Sequence, residues 1–99
     1  MLHIVNKSHR QSTALASCLR LTLPGHALLL TEDAVYAATT AGAASSGIAA
    51  ALERCKVFVL KPDVEARGMA GQLLDGVAAV GYDGFVDLVV EHPNNQSWL

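Results

Sequence analysis

Charged and aromatic residues are scarce in this sequence of 99 residues. Only 16% of the residues are charged and 5% are aromatic, and the formal net charge at pH 7 is -2. Binding to the phosphate backbone of nucleic acids requires a basic surface, so this charge balance argues against direct contact with nucleic acid. Hydrophobic residues, in contrast, make up 52% of the chain. This fraction is high for a small domain, and we expect another subunit to cover part of the apolar surface.

Long apolar segments and a cysteine framework are also missing. No apolar run approaches the length of a membrane span, and Met1–Val5 lacks the basic flank and cleavage site of a signal peptide. We therefore expect a cytoplasmic protein without a membrane partner. Two cysteines, Cys18 and Cys55, do not make a disulfide framework, and both are expected to be reduced thiols. The length predicts a single domain, residues 1–99.

Signatures of common cofactor and metal sites are absent as well. The sequence contains no GxGxxG motif, and Gly42 and Gly47 are not followed by the lysine of a phosphate-binding loop. Four histidines are scattered singly, without a Cys, Asp or Glu at metal-ligand spacing: His3, His9, His26 and His92. We therefore expect no cofactor and no metal site.

An unbroken apolar run at Leu28–Leu30 is the feature from which the fold is predicted. The run is too short for an independent helix and does not alternate, so it predicts a strand covered on both faces. Further strands are predicted at Leu2–Val5, Lys56–Leu60 and Val77–Val80, with helical segments between them. This alternation predicts a three-layer α/β fold, with a mostly parallel sheet of four to five strands and helices on both faces.

Polar residues in front of the apolar segments indicate where helices begin. The predicted caps are Ser8 or Ser12 before the first helix, Asp33 before a short turn at Ala34–Ala38, Ser45 or Ser46 before a helix at Ile48–Arg54, and Asp83 before the last helix. Because Thr39–Gly47 is rich in small residues, we expect a loop or a weakly determined turn there. The residues after Pro93 are expected to form a polar tail.

Cys18 allows two interpretations. A thiolate is the nucleophile in sulfur transfer, so Cys18 is a candidate persulfide carrier. It also lies on the helical stripe of Leu15 and Leu19, where a cysteine acts as a small buried hydrophobe. Cys55 has no activating cluster of charged neighbours, which favours a structural role.

Polar residues at Thr31–Asp33 directly follow the buried strand. In open α/β sheets, ligands and partners bind at the carboxyl ends of the strands, so this corner is a candidate binding site. A small-ligand or nucleotide-binding module is one possible function, although no phosphate-binding loop supports it. Arg67 can pair with Asp63 on its own helix. Trp98 is costly to leave in water, and we expect it to dock on its own domain or on a neighbour.

Several segments, taken in order, resemble the DsrH/TusB family, the small third member of the DsrE/DsrF/DsrH (TusD/TusC/TusB) set. The resemblance runs nearly from end to end. The matching segments are Met1-Leu2-His3 with Asn6-Lys7-Ser8, Leu28-Leu29-Leu30 with Asp33 and Val35-Tyr36-Ala37-Ala38, Val57 and Val59-Leu60 with Asp63 and Ala66-Arg67-Gly68, Tyr82 with Phe85-Val86 and Leu88, and Gln96-Ser97-Trp98.

The resemblance implies a subunit of a cytoplasmic persulfide relay that serves the 2-thiolation of the tRNA wobble uridine. The implied partners are TusC-like and TusD-like sister subunits, two copies of each in a heterohexamer, with a TusA-like sulfur donor and a TusE-like acceptor. The acting cysteine belongs to the TusD-like subunit, so this chain is expected to be a non-catalytic or accessory subunit, mainly structural and partner-presenting. The candidate partner-interface residues are Asp33, Tyr36, Arg67 and Trp98.

Two positions modify what the resemblance implies. DsrH-type members of sulfur-oxidising bacteria carry a cysteine in the first helix, and Cys18 matches that position. The alternative function is therefore a sulfur-oxidation relay protein with Cys18 as persulfide acceptor. The family usually has glycine after the strand-end Asp, where this chain has Ala34. Alanine there favours the ordinary start of a helix and argues against a tight ligand loop.

Overall fold

A five-stranded, all-parallel sheet forms the centre of the molecule. The structure is a computed structural model and describes residues 1–98. Its strands are β1 (Leu2–Val5), β2 (Ala27–Leu30), β3 (Lys56–Leu60), β4 (Ala78–Val80) and β5 (Asn95–Trp98). The strands are arranged in the order β4-β3-β2-β1-β5. The predicted α/β fold is therefore confirmed.

Five α-helices and two 3₁₀ segments connect the strands. The helices are α1 (Ala14–Leu21), α2 (Thr40–Ser46), α3 (Ile48–Ala51), α4 (Lys61–Ala66) and α5 (Tyr82–Glu91). The 3₁₀ segments are the corner helix (Glu32–Ala38), which follows β2, and a short turn at Ala70–Gln72. Within residues 1–98, no helix is long and apolar enough to span a membrane.

Side chains of β2 divide the hydrophobic core into two layers. Leu28 and Leu30 face a larger layer built with α1, the corner helix, α3 and α4. Ala27 and Leu29 face a smaller layer whose helical residues all come from α5. All four residues of β2 are buried, so the apolar run is covered on both faces as predicted. A run without alternation is what two buried faces require.

The segment predicted as a loop at Thr39–Gly47 contains a helix, α2, so that prediction was wrong. The Oγ1 of Thr39 accepts a hydrogen bond of 3.0 Å from the backbone N–H of Gly42 and caps the helix. The Oγ of Ser46 donates to the carbonyl of Ala37, 2.8 Å away. A Cβ on Gly42 would overlap the carbonyl oxygen of Tyr36. The small residues of this segment therefore serve close packing on the corner helix.

Three predicted helix caps were also wrong. Ser8 accepts a bond from the N–H of Arg10 in a turn that precedes α1, and α1 begins only at Ala14. Asp33 lies inside the corner helix instead of before it, and Asp83 lies inside the first turn of α5. Two of the other predicted caps do accept hydrogen bonds near a helix start: Ser12 from the N–H of Ala14, and Ser46 from the N–H of Ile48. These short turns depend on side-chain geometry that spacing alone does not specify.

The residues expected to form a polar tail make the edge strand β5, which corrects the expectation. Leu2 pairs with Asn95 and Val5 with Trp98 in parallel register. The N–H of Leu2 also donates to the carbonyl of Asn94, 3.0 Å away. Three of the four β5 residues are exposed, so backbone pairing with β1, rather than burial of side chains, is what determines this strand.

Candidate functional site

The carboxyl ends of β2 and β3 are joined by a charged cluster, which we call the corner clamp: Glu32, Asp33, Asp63 and Arg67. The guanidinium of Arg67 contacts Oδ1 of Asp33 twice, through Nη2 at 3.0 Å and Nε at 3.1 Å. Its Nη1 donates to the carbonyl oxygen of Asp63 at 3.1 Å and lies 3.9 Å from Oδ1 of that residue. Arg67 thus makes the predicted contact with Asp63 and a closer one with Asp33.

Asp63 has a role that sequence reasoning missed. Its Oδ2 accepts a short hydrogen bond of 2.7 Å from the backbone N–H of Glu32. A charged acceptor makes this bond stronger than a neutral one. The signal in the sequence was the position of Asp63, three residues after the end of β3, which corresponds to the position of Asp33 after β2. Asp63 therefore ties the ends of the two strands together through the backbone.

Glu32 holds a strained backbone conformation at this corner. Its φ is +49°, and within residues 1–98 it is the one non-glycine residue with positive φ. The left-handed region costs roughly 1–2 kcal/mol for an ordinary L-residue, so the hydrogen bond that the N–H of Glu32 donates to Asp63 compensates a local strain. The turn after β2 is consequently not the ordinary helix start that Ala34 led us to expect. Ala34 itself is fully buried and donates its N–H to the carbonyl of Thr31.

Tyr36 borders an open depression of about 300 Å³ beside the corner helix. The depression is lined by Ser8, His9, Arg10, Tyr36, Thr39, Ala41, Gly42, Met69 and Gln72. Tyr36 is 36% exposed, while Nε2 of His9 lies 3.0 Å from the hydroxyl of Ser45. Burial, together with the charge of Arg10, lowers the pKa of His9 below 6.5. Tyr36, Asp33 and Arg67 thus lie along one end of the sheet, where partners of α/β proteins bind.

Cys18 lies in the larger core layer with no exposed surface. Its Sγ is 3.8 Å from the hydroxyl of Thr22, and that hydroxyl donates to the carbonyl of Cys18. Burial raises the pKa of the Cys18 thiol to about 11, with the Thr22 contact opposing the shift and Cys55 adding to it. At neutral pH the thiol therefore stays protonated and is a poor nucleophile. Cys55 is also buried, which raises its pKa.

Trp98 docks on its own domain, in agreement with the first of the two expectations for it. Its Nε1 donates to Nδ1 of His3 at 3.2 Å, and Nε2 of His3 lies 3.1 Å from Nδ1 of His26. Since an indole only donates, Nδ1 of His3 carries no proton and Nε2 of His3 donates to His26. His26 accepts a second bond from the N–H of Leu23, 3.2 Å away. We call these three side chains the Trp–His–His relay; in it, both imidazoles are neutral.

The structure groups only part of the candidate residues. Asp33, Arg67 and Tyr36 share the end of the sheet at the corner helix, whereas Trp98 lies on the edge strand β5, beyond β1. Cys18 lies on the buried face of α1 and is separate from both. Among residues 1–98, no three His, Cys, Asp or Glu side chains are close enough to hold a metal ion.

The fold and these surfaces define a small, all-parallel α/β protein whose two thiols are both buried. Residues 7–95 match the family described as DsrH like protein. The chain belongs to this DsrH family, and the resemblance drawn from the sequence is confirmed. It is 39% identical over 98 residues to Protein TusB of Pectobacterium parmentieri, with 99% of this chain and 100% of that protein covered. Protein TusB of Escherichia coli strain K12 is 36% identical with the same coverage.

Solved structures support the fold. The ychN protein of Escherichia coli superposes with a TM-score of 0.79 and 20% sequence identity, covering 97% of each chain. A protein of unknown function from Methanobacterium thermoautotrophicum gives a TM-score of 0.73 and 17% identity, covering 97% of this chain and 95% of that one. Since these identities are low, the likeness concerns the architecture alone.

Proposed function

We propose that this chain is a structural, partner-presenting subunit of a cytoplasmic sulfur-relay complex that serves the 2-thiolation of the tRNA wobble uridine. The observation that carries the proposal is its similarity, over nearly the whole chain, to proteins named TusB. The buried thiols of Cys18 and Cys55 agree with a subunit that leaves the sulfur chemistry to its partners. The proposed partners are TusC-like and TusD-like subunits, two copies of each, with a TusA-like donor and a TusE-like acceptor.

The proposed contact points for a sister subunit at the corner are Asp33, Tyr36 and Arg67. Asp33 keeps 55% of its side chain exposed although Arg67 holds one of its oxygens, so Oδ2 remains available to a partner. Tyr36 adds an exposed aromatic ring beside the depression, and aromatic residues are enriched at protein interfaces. Trp98 lies apart from the corner. We propose that it contributes to partner binding indirectly, by fixing the edge strand β5 against β1.

Co-purification tests the proposed subunit role. An affinity-tagged form of this chain is co-expressed with the TusC-like and TusD-like proteins of the same genome, and the masses and stoichiometry of the purified complex are measured. We expect a heterohexamer with equal amounts of the three chains. A tagged chain that is well folded and retains neither sister protein would contradict the proposal.

The second candidate function assigns sulfur transfer to Cys18, and it is favoured by the position of this residue in the first helix. The step would be attack of the Cys18 thiolate on the outer sulfur of a donor persulfide, with the donor thiolate leaving. Local opening would have to expose the thiol first, because Cys18 has no accessible surface. Its burial and raised pKa favour the structural role over this one.

Persulfide loading distinguishes the two functions. The chain is incubated with a persulfidated donor and the mass of the peptide containing Cys18 is measured, with the Cys18→Ser variant as control. A subunit without its own sulfur chemistry gives no added sulfur on this peptide. Stoichiometric loading that disappears in Cys18→Ser would establish the second function.

A further inference from the structure

Helix α5 presents an apolar stripe to solvent. Its inner face, Phe85, Leu88 and Val89, packs on the smaller core layer and is the only helical cover of that face within residues 1–98. On the outside, Tyr82, Val86 and Val90 are 64%, 60% and 75% exposed. These three residues are spaced by four, so they form one row along the helix.

A shallow depression of about 260 Å³ lies along this stripe. It is lined by apolar side chains alone, namely Tyr82, Phe85, Val86, Val89 and Val90. A contiguous exposed apolar patch of this kind is a candidate interaction site. The depression has room for one or two apolar side chains of a partner.

An acidic row borders the apolar stripe. Asp83, Asp87 and Glu91 repeat with the same spacing of four, one position further along the helix, and all three are exposed. Helix α5 contains no Lys or Arg. The ion pairs found within residues 1–98 join Arg67 to Asp33 and Asp63, so none of them neutralises this row. The surface therefore combines exposed apolar side chains with acidic side chains that form no ion pair within residues 1–98.

We propose that α5 docks a partner protein whose apolar strip is bordered by Lys or Arg side chains. Complementary charge and the apolar stripe together identify this chemistry. A second copy of this chain fits poorly, since two α5 helices would bring their acidic rows together with no basic residue on either helix to balance them. This inference rests on the proposed subunit role and specifies the surface that a sister subunit occupies.

Two variants with matched controls test the inference in the co-expressed complex. Val86→Asp adds a charge to the stripe, and Val86→Thr is its nearly isosteric, uncharged control. Asp87→Lys with Glu91→Lys reverses the acidic row, and Glu53→Lys with Glu65→Lys makes the same change in net charge at exposed sites elsewhere. Circular dichroism and Tm measurements establish that each variant is folded.

We expect Val86→Asp and the reversed acidic row each to weaken capture of the sister proteins by at least about tenfold, and the controls to change it by less than about twofold. Added salt should weaken the wild-type complex and have less effect on the variant with the reversed row. Surface substitutions of this kind leave folding stability nearly unchanged, so loss of capture reports on docking.

Each other outcome overturns the inference. A wild-type chain that retains its sister proteins together with variants that retain them equally well refutes docking through α5 and leaves the proposed function standing. A wild-type chain that retains no sister protein refutes both. A discrete dimer of the chain alone, dissociated by Val86→Asp, would show that a second copy occupies the stripe.

Discussion

Gly42 is the residue on which the packing of α2 against the corner helix depends. A Cβ at this position would overlap the carbonyl oxygen of Tyr36 and come within 3.1 Å of Oγ1 of Thr39, which caps the helix. Neither group can move without breaking the turn between the two helices. The fold therefore leaves no room for a side chain at position 42.

We expect Gly42→Ala to lower the free energy of unfolding by about 1–3 kcal/mol, the usual cost of overpacking. Gly71→Ala is the matched control, because a Cβ at Gly71 has no atom within 4 Å, and it should change stability by less than about 0.5 kcal/mol. Urea denaturation followed by circular dichroism measures both. Equal stabilities of the two variants would contradict the assigned packing role.

For individual residues, the sequence predicted the environment of a side chain better than it predicted the residues that the side chain contacts. The stripe of Leu15 and Leu19 correctly indicated that Cys18 faces the core. The bond between Asp63 and the N–H of Glu32 joins residues 31 positions apart. The matching positions of Asp33 and Asp63 after their strands indicate a shared corner, but they do not indicate this bond. The positive φ of Glu32 was equally hidden, since the tertiary contacts of the corner force it on a residue without special conformational freedom.

At the scale of elements, the corner clamp holds the ends of β2 and β3 together, and its two aspartates contribute differently. We expect Asp63→Ala to destabilise the fold by about 1–3 kcal/mol, because the N–H of Glu32 loses its acceptor. Asp63→Asn keeps an acceptor oxygen and should recover at least half of the loss. Asp33→Asn should cost less than about 1 kcal/mol, since the Asp33–Arg67 pair is partly exposed.

Chemical denaturation of these three variants measures the order of their stabilities. The predicted order, from most to least stable, is Asp33→Asn, Asp63→Asn and Asp63→Ala. If Asp33→Asn proved the most damaging, the exposed ion pair would be the main support of the corner, contrary to our assignment.

The Trp–His–His relay makes the attachment of β5 dependent on pH. Burial, the neighbouring His26 and the N-terminal amine lower the pKa of His3 below 6.5, and burial, the same amine and His92 lower the pKa of His26. Below pH 6.5 the unfolded state therefore binds more protons than the folded state. The stabilisation is complete above pH 6.5 and is lost as the pH falls through the lowered pKa values.

We expect stability to fall between pH 7.5 and pH 5 and the decrease to be smaller in His3→Gln, which has no titrating ring. Trp98 is the only tryptophan in the sequence, so its fluorescence reports on β5 directly while denaturation is followed at each pH. The same pH dependence in His3→Gln as in the wild type would refute this origin of the effect.

Elements with strong apolar patterns were predicted well. Elements that depend on backbone pairing or on close backbone contact with a neighbouring element were not. The apolar run of β2 and the β-branched residues of β3 were sufficient to predict these strands. β5 has the sequence Asn-Gln-Ser-Trp and follows from pairing with β1. α2 is built from small residues that resemble a loop in composition, and only contact with the corner helix makes them helical.

At the scale of the whole molecule, the large apolar side chains with at least 60% exposure within residues 1–98 lie in two places. The first is Leu21, at the end of α1, with Leu23, which are 61% and 60% exposed, and the second is the stripe of α5. We expect the chain to self-associate or to be poorly soluble when expressed alone, and its soluble yield to rise on co-expression with the sister subunits. Size-exclusion chromatography with light scattering checks this, and a clean monomer that ignores its sisters would contradict it.

We propose that residues 1–99 form one domain, as the length suggested. The larger and smaller core layers share the sheet between them, so we expect the two layers to unfold together. We expect Trp98 fluorescence and circular dichroism to report the same urea midpoint. Two separate transitions would show that the layers are independent.

The position of β1 between β2 and β5 has a consequence during synthesis. β2 follows β1 after one helix, whereas almost the entire chain separates β1 from β5. One backbone edge of β1 therefore stays open on the ribosome until the late part of the chain emerges. Open strand edges recruit foreign strands, so nascent chains of this protein should depend on chaperones more than its small size suggests.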